Sequence, residues 1–210
     1  MDLPFVSRQQ AGIELAKGIK AYASQNDMMI LALVRGGVVI GKALADALQL
    51  PLFPYIVRKI GHPGHREYGL GAIAEGGATY LDEAAMKMSE ITWDDLEPVI
   101  DEETAELARR KKKYTVHPRP PLEGKTIILT DDGAATGGTL FAAIRDLRKA
   151  NVGKIIVALP VCPPDIVDAL KKRADEVHVL ATPVPFNAVG EWYLDFPQVE
   201  DEEVLALLQG

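Results

Sequence analysis

The most chemically loaded stretch of the chain is Ile127-Ile128-Leu129-Thr130-Asp131-Asp132-Gly133-Ala134-Ala135-Thr136-Gly137-Gly138-Thr139-Leu140. Apolar β-formers lead into two adjacent acids, a loop of small residues follows, and a helix opens at Thr-Gly-Gly-Thr. A loop entering a helix presents backbone N–H groups with no intrahelical partner, which together with nearby hydroxyls suit a phosphate monoester. Acids at the carboxyl end of a strand can hold sugar hydroxyls or a hydrated magnesium ion. The segment is therefore suited to a phosphorylated sugar. It lacks the lysine of a Walker A loop and the G-x-G-x-x-G spacing of a dinucleotide fingerprint.

Further groups could serve the same chemistry. Arg35-Gly36-Gly37 breaks an apolar run, and its paired glycines let backbone amides approach an anion closely. Arg58-Lys59 opens a stretch, residues 59–77, with six glycines, two histidines and a proline. That stretch is expected to be a long loop, functional or mobile. It offers Lys59, His62, His65 and Arg66 as cations. The His62/His65 pair has no cysteine or further histidine nearby to complete a metal site. Residues 182–196 are irregular and aromatic, with Phe186 and Trp192 able to stack on a planar group. The run Arg109-Arg110-Lys111-Lys112-Lys113 reads as the solvated, dipole-complementing end of a helix. Cys162 reads as a small core residue.

The elements that must position these groups follow from periodicity. Apolar runs at 28–34, 52–57, 126–130, 154–161 and 177–181 read as buried strands. Helical spacing behind Ser7-Arg8-Gln9-Gln10, and over about 40–48, 95–113, 137–150, 164–170 and 202–208, supplies the helices. Ser7 to Gln10 has the form of a capping box, and Pro98 blurs the start of the 95–113 helix. Strands alternating with helices predict an α/β fold: a mostly parallel central sheet with helices on both faces, plus a small hood and a long flexible loop. Ligands bind such sheets at the carboxyl ends of the strands, the edge that gathers Arg35-Gly36-Gly37, the start of 59–77, Asp131-Asp132 and the aromatic tail. The whole chain, 1–210, is expected to form one domain, with 59–77 as flexible loop and 182–210 as hood and C-terminal helix.

Composition bounds the function. With 210 residues, 48% hydrophobic, the chain can bury a full core, and its formal net charge of −7 argues against a nucleic-acid surface. A single cysteine excludes an internal disulfide. No stretch reaches the roughly 18 apolar residues of a membrane span. A cytoplasmic protein without membrane or nucleic-acid partners is the expectation.

The 127–140 segment resembles the phosphoribosyl-diphosphate (PRPP) motif of the type I phosphoribosyltransferases. The resemblance implies that residues 134–139 (Ala134, Ala135, Thr136, Gly137, Gly138, Thr139), with Gly133, cradle the 5′-phosphate. It implies that Asp131 and Asp132 hold the ribose hydroxyls, directly or through Mg²⁺. Val34-Arg35-Gly36-Gly37 resembles the family's diphosphate loop, which implies a cis peptide at Val34–Arg35. Arg58-Lys59 resembles the entry to the family's flexible loop, as in the adenine-type enzymes, making Arg58 a diphosphate ligand and Lys59 catalytic. The tail, 186–196, is similar to the hood of the 6-oxopurine enzymes, allowing for a one-residue insertion, and would place Phe186 or Trp192 on the base. Two departures weigh against a 6-oxopurine substrate: Ala135 stands where those enzymes carry an aspartate, and 178–185 contains no lysine. The pattern is also similar to a group of stand-alone phosphoribosyltransferases whose acceptor is not established by sequence.

The resemblance implies an Mg²⁺-dependent transfer of phosphoribosyl from PRPP to a nucleobase-like nitrogen acceptor with release of diphosphate, in nucleotide salvage or a related reaction, by a chain that forms a homodimer in many relatives. Glu67, Glu75 and Glu191 are candidates for a general base. Two alternatives share the cradle: a non-catalytic PRPP- or nucleotide-sensing regulator, and a diphosphokinase, for which no separate ATP site is evident.

Overall fold

A computed structural model describes residues 3–209. The chain forms α1 (Arg8–Gly18), β1 (Met28–Leu33), α2 (Gly36–Leu48), β2 (Leu52–Tyr55), β3 (Val57–His62), β4 (His65–Ala74), β5 (Thr79–Leu81), α3 (Glu83–Met88), α4 (Trp93–Tyr114), β6 (Thr126–Thr130), α5 (Gly138–Lys149), β7 (Lys154–Val161), α6 (Pro164–Lys171), β8 (Glu176–Ala181) and α7 (Asp201–Gln209). Five strands build a parallel sheet in the order β2-β1-β6-β7-β8, and β3-β4-β5 build a separate antiparallel sheet.

The parallel sheet is covered on both faces, which is why its central strands are apolar without alternation. Every residue of β1 is buried. Met28 and Ile30 join a core with Leu15, Ile40 and Leu44 of α1 and α2, while Met29, Leu31 and Leu33 join the opposite core with Leu140, Ile144 and Leu147 of α5 and Val167 and Leu170 of α6. A third cluster packs Ile56, which joins the two sheets, and Ile60 and Leu70 of the small sheet against Leu96, Val99, Leu107 and Tyr114 of α4 and Val204 of α7.

The strand order carries a switch point. From β1 the chain moves outward to β2, then returns to the other side of β1 with β6. The loops after β1 and β6 diverge to opposite faces and leave a crevice, the usual ligand position in open α/β sheets. Arg35-Gly36-Gly37 and Asp131-Asp132 are those two loops.

Several local expectations change. Residues 59–77 are not an irregular loop: most of them lie in the β3–β4 hairpin, turned by Pro63-Gly64, and continue toward β5. The glycines mark close strand approach instead. A Cβ on Gly61 would lie 2.2 Å from the Arg66 carbonyl oxygen, and one on Gly71 would lie 2.2 Å from that of Tyr80. The apolar run 52–57 is split at Ile56, where the chain leaves one sheet for the other. The helix expected over 95–113 begins at Trp93, because Thr92 and Asp95 form a reciprocal capping box. Pro98 is tolerated since the carbonyl it orphans belongs to exposed Asp94 in the first turn. Helix α3, capped by Asp82 on the Ala85 N–H, is an addition. At α1 the capping box is only half formed: Ser7 Oγ accepts from the Gln10 N–H, while Gln10 Oε1 is buried without a partner.

Candidate active site at the switch point of the sheet

The loop after β6 is held from behind. Thr130 Oγ1 donates to the Ala158 carbonyl at 2.8 Å, and the Ala134 N–H donates to the Val161 carbonyl at 3.1 Å. Ala134 therefore anchors the loop with its amide instead of offering that amide to a ligand. The next six N–H groups behave differently. Those of Ala135, Thr136, Gly137, Gly138, Thr139 and Leu140 meet no protein acceptor among the described residues. Gly137, at φ 74°, turns the chain into α5, whose first-turn amides face the same opening. Six free donors at a helix N-terminus make a concentrated patch of positive potential.

The two acids differ in their surroundings. Asp131 Oδ1 accepts the Asp132 N–H at 2.9 Å and has no ion-pair partner among the described residues. Burial, and then the charge of Asp132, push its carboxyl well above the ordinary carboxylate range. Asp132 also feels burial, but Arg8 offsets it: Arg8 Nε lies 2.7 Å from Asp132 Oδ2. Lys59, on β3, is near enough for its charge to favour the ionised form of both acids. Tyr193, from the tail, donates its hydroxyl to the Asp132 carbonyl at 2.5 Å.

The loop after β1 meets this pair directly. The Val34–Arg35 peptide is cis, in agreement with the sequence expectation. A Cβ on Gly36 would lie 2.0 Å from Asp132 Oδ2, and one on Gly37 would lie 2.9 Å from Asp131 Cα. Only glycine allows the two loops to touch. The N–H groups of Arg35, Gly36 and Gly37 have no protein acceptor among the described residues.

Other expected groups are placed elsewhere. Arg58 alternates to the face of β3 opposite Lys59 and pairs with Glu103 of α4 at 2.7 Å, so it is not brought to the acids. The Arg35 guanidinium turns to Glu200 and Asp201 at 3.4 and 3.5 Å, leaving its backbone in the loop. Phe186 and Trp192 are half-buried in the tail, their rings 5.8 Å apart, packed against the α1–α2 core. Glu75 does not reach the acids. It accepts the Ile56 N–H at 2.9 Å and pairs with Arg119 at 2.5 Å, fixing the base of the hairpin. Glu191 faces Asn187, and Glu67 lies exposed on β4. His62 and His65 are neighbours near the hairpin turn, with rings 5.6 Å apart, and among the described residues no three His, Cys, Asp or Glu side chains assemble as a metal site. Burial pushes the Cys162 thiol up to about 12, so it is no nucleophile. No described helix is long and apolar enough to cross a membrane.

Arg8 is the site residue that the sequence reading missed. It appeared there only within a helix cap, 124 positions from the acid it pairs with. Asp146 was missed as well. It is buried in α5 and accepts from Tyr55 Oη at 2.6 Å, the Gly76 N–H at 2.8 Å and the Ala78 N–H at 3.2 Å, tying the hairpin base to the helix that carries the free amides.

The chain is similar to known proteins in sequence and fold. Residues 7–193 match the phosphoribosyl transferase domain family. Two curated Mycobacterium tuberculosis proteins, named as candidate phosphoribosyl transferases, are each 38% identical over 205 residues, covering 97% of this chain and 46% of theirs. This chain thus spans about half the length of those relatives. The crystal structure of TT1426 from Thermus thermophilus superposes with a TM-score of 0.79 at 37% identity, covering 97% of both chains.

Proposed function

The chain belongs to the phosphoribosyl transferase family, and from that premise we propose that it transfers phosphoribosyl from PRPP to a nucleobase or related nitrogen acceptor, releasing diphosphate. The observation that carries this reading is the run of six unpartnered N–H groups, 135–140, beside an acid pair in contact with a second amide loop. PRPP has three parts that need three different partners. Its 5′-phosphate suits the 135–140 amides and the Thr136 and Thr139 hydroxyls. Its ribose hydroxyls suit the Asp131 and Asp132 carboxylates. Its diphosphate suits the free amides of Arg35, Gly36 and Gly37, with Lys59 adding positive charge from the hairpin.

Breaking the anomeric C–O bond puts positive charge on the ribose ring and negative charge on the departing diphosphate. Amides preorganised at the diphosphate stabilise the second without solvent reorganisation. The acid pair beneath the ribose is compatible with the first. The hairpin carrying Lys59 shields the reacting bond from water. Phe186 and Trp192 in the tail offer planar faces for the acceptor.

The two carboxylates are hard oxygen donors of the kind Mg²⁺ prefers, yet too few to hold it alone. They fit the ion as a site shared with the oxygens of PRPP and with water. Mg²⁺ bound in that way supplies positive charge that offsets the diphosphate.

The test is consumption of PRPP with Mg²⁺ and stoichiometric diphosphate release across a panel of purines, pyrimidines and analogues. Turnover with at least one acceptor is expected. Saturable PRPP binding without turnover on any acceptor would instead establish a sensor, and no PRPP binding would remove the reading.

A further inference from the structure

We infer that Arg8 is a positioning residue that couples the acceptor-side tail to the ribose-holding acid. The inference rests on the phosphoribosyl transfer reading for the names of those two sides. Its geometry stands independently of that reading.

Arg8 is 8% exposed and uses three features of one guanidinium at once. Its Nε donates to Asp132 Oδ2 at 2.7 Å, and its Nη1 donates to the Pro197 carbonyl at 2.7 Å. Its Cζ lies over the Phe196 ring, 3.6 Å from the centroid. Phe196 stacks on Tyr193 at 5.0 Å, and Tyr193 returns to Asp132 through its hydroxyl. The circuit therefore runs from acid to arginine to tail and back to the acid. It is closed on its outer side by the N-terminal segment, where the Phe5 N–H donates to the Trp192 carbonyl at 2.8 Å and the Leu194 and Asp195 N–H groups donate to Phe5 and Val6 carbonyls at 2.7 and 3.1 Å. A Cβ on Gly36 would lie 3.1 Å from Arg8 Nε, so the diphosphate-side loop packs on the same ion pair.

A buried ion pair adds little net stability over an apolar replacement, because desolvation cancels most of its attraction, whereas removing one partner strands a buried charge. This pair instead determines where Asp132 points and where residues 193–197 sit. Lysine could supply the charge. It could not donate in two fixed directions while stacking a flat face on an aromatic ring.

The experiment compares Arg8→Gln, Arg8→Lys, Asp132→Asn and Arg8→Gln/Asp132→Asn in the full chain. PRPP affinity with Mg²⁺ is measured by calorimetry, and amide exchange by mass spectrometry. Arg8→Gln is expected to weaken PRPP binding by about tenfold or more, with Arg8→Lys recovering part of the loss. The double variant should bind no more weakly than Asp132→Asn alone. Exchange should rise together at 131–134 and at 193–197 and stay unchanged across 57–74. A merely structural Arg8 would lower the folded fraction and the melting temperature while the folded protein kept its PRPP dissociation constant. That result, additive losses in the double variant, or a rise confined to one of the two segments would overturn the inference. Should Arg8→Gln not fold, Phe196→Leu keeps the ion pair and removes only the ring beneath it. Coupled exchange at both segments is then expected, and a change at 193–197 alone would refute the coupling. Absence of PRPP binding by the unaltered protein would remove the functional reading, while the exchange comparison would still decide the role of Arg8.

Discussion

The loop after β6 and the β3–β4 hairpin both face the same crevice, yet they are held by different means. The loop is fixed through its backbone, by the sheet behind it, by the Ala134–Val161 bond and by the helix it opens. The hairpin lies outside that sheet and is fixed by its own ladder, by Ile60 and Leu70 packed on α4, and by charged side chains: buried Glu75 and Asp146 at its base, Arg58–Glu103 along its length and Arg66–Glu102 toward its turn. Backbone inside the central sheet opens only with the fold, whereas the exposed ion pair toward the hairpin turn is weak and exchanges with water. The difference gives most rigidity to the part proposed to grip phosphate and ribose, and less to the tip of the hairpin that carries Lys59.

The largest effect tests the rigid half. Asp131→Asn combined with Asp132→Asn should leave the fold intact and abolish PRPP binding, checked by calorimetry with circular dichroism as control. Normal binding by that variant would reduce both acids to turn residues. Next in size is the joint between the halves. Asp146→Ala strands the Tyr55 hydroxyl and the Gly76 and Ala78 amides in a buried setting. It should destabilise the protein by about 3–5 kcal/mol in urea unfolding, with the hairpin base exchanging faster.

The rigid half was the more legible of the two in the sequence. Residues 127–140 announce strand, acids, loop and helix in order because each step is local: apolar run, breaker, small residues, helical period. The parallel sheet followed from the same local signals. The hairpin was hidden for a physical reason. Gly61 and Gly71 look like loop residues, but they are required by strands pressed together, a non-local fact that composition cannot distinguish from flexibility. Arg58 and Lys59 could not be sorted without knowing that β3 begins at Val57, since alternation then sends one to α4 and the other to the acids. Arg8 and Asp146 were out of reach, because their partners lie 124 and up to 91 positions away and neither belongs to a motif.

A smaller effect concerns the cost of holding Asp131 ready. Burial and the neighbouring Asp132 charge raise its folded-state pKa above the unfolded value. The folded state then binds the proton more tightly than the unfolded state, so stability falls as pH rises from the unfolded to the folded pKa. Asp131→Asn should therefore melt at a higher temperature than the parent at neutral pH. The advantage should shrink as pH falls through the folded pKa and vanish below the ordinary carboxylate range. A melting difference independent of pH would assign the gain to something other than ionisation. The same variant should lose PRPP affinity, so stability and binding would move in opposite directions at one residue.

The smallest effect separates the two ion pairs of the hairpin. Glu103 is mostly buried against Arg58, with side chains 13% and 25% exposed, whereas Glu102 and Arg66 stand 63% and 48% exposed. Solvent screens the outer pair, so Glu102→Gln should leave both stability and exchange unchanged. Glu103→Gln should cost up to about 1 kcal/mol and raise amide exchange across 57–74 without altering 131–140. The loosened strand also carries Lys59, so single-turnover transfer should slow by more than PRPP binding weakens. Equal responses to the two substitutions would mean that packing on Leu96, Val99 and Leu107 outweighs the half-buried pair, and the contrast between the inner and outer pairs would fail.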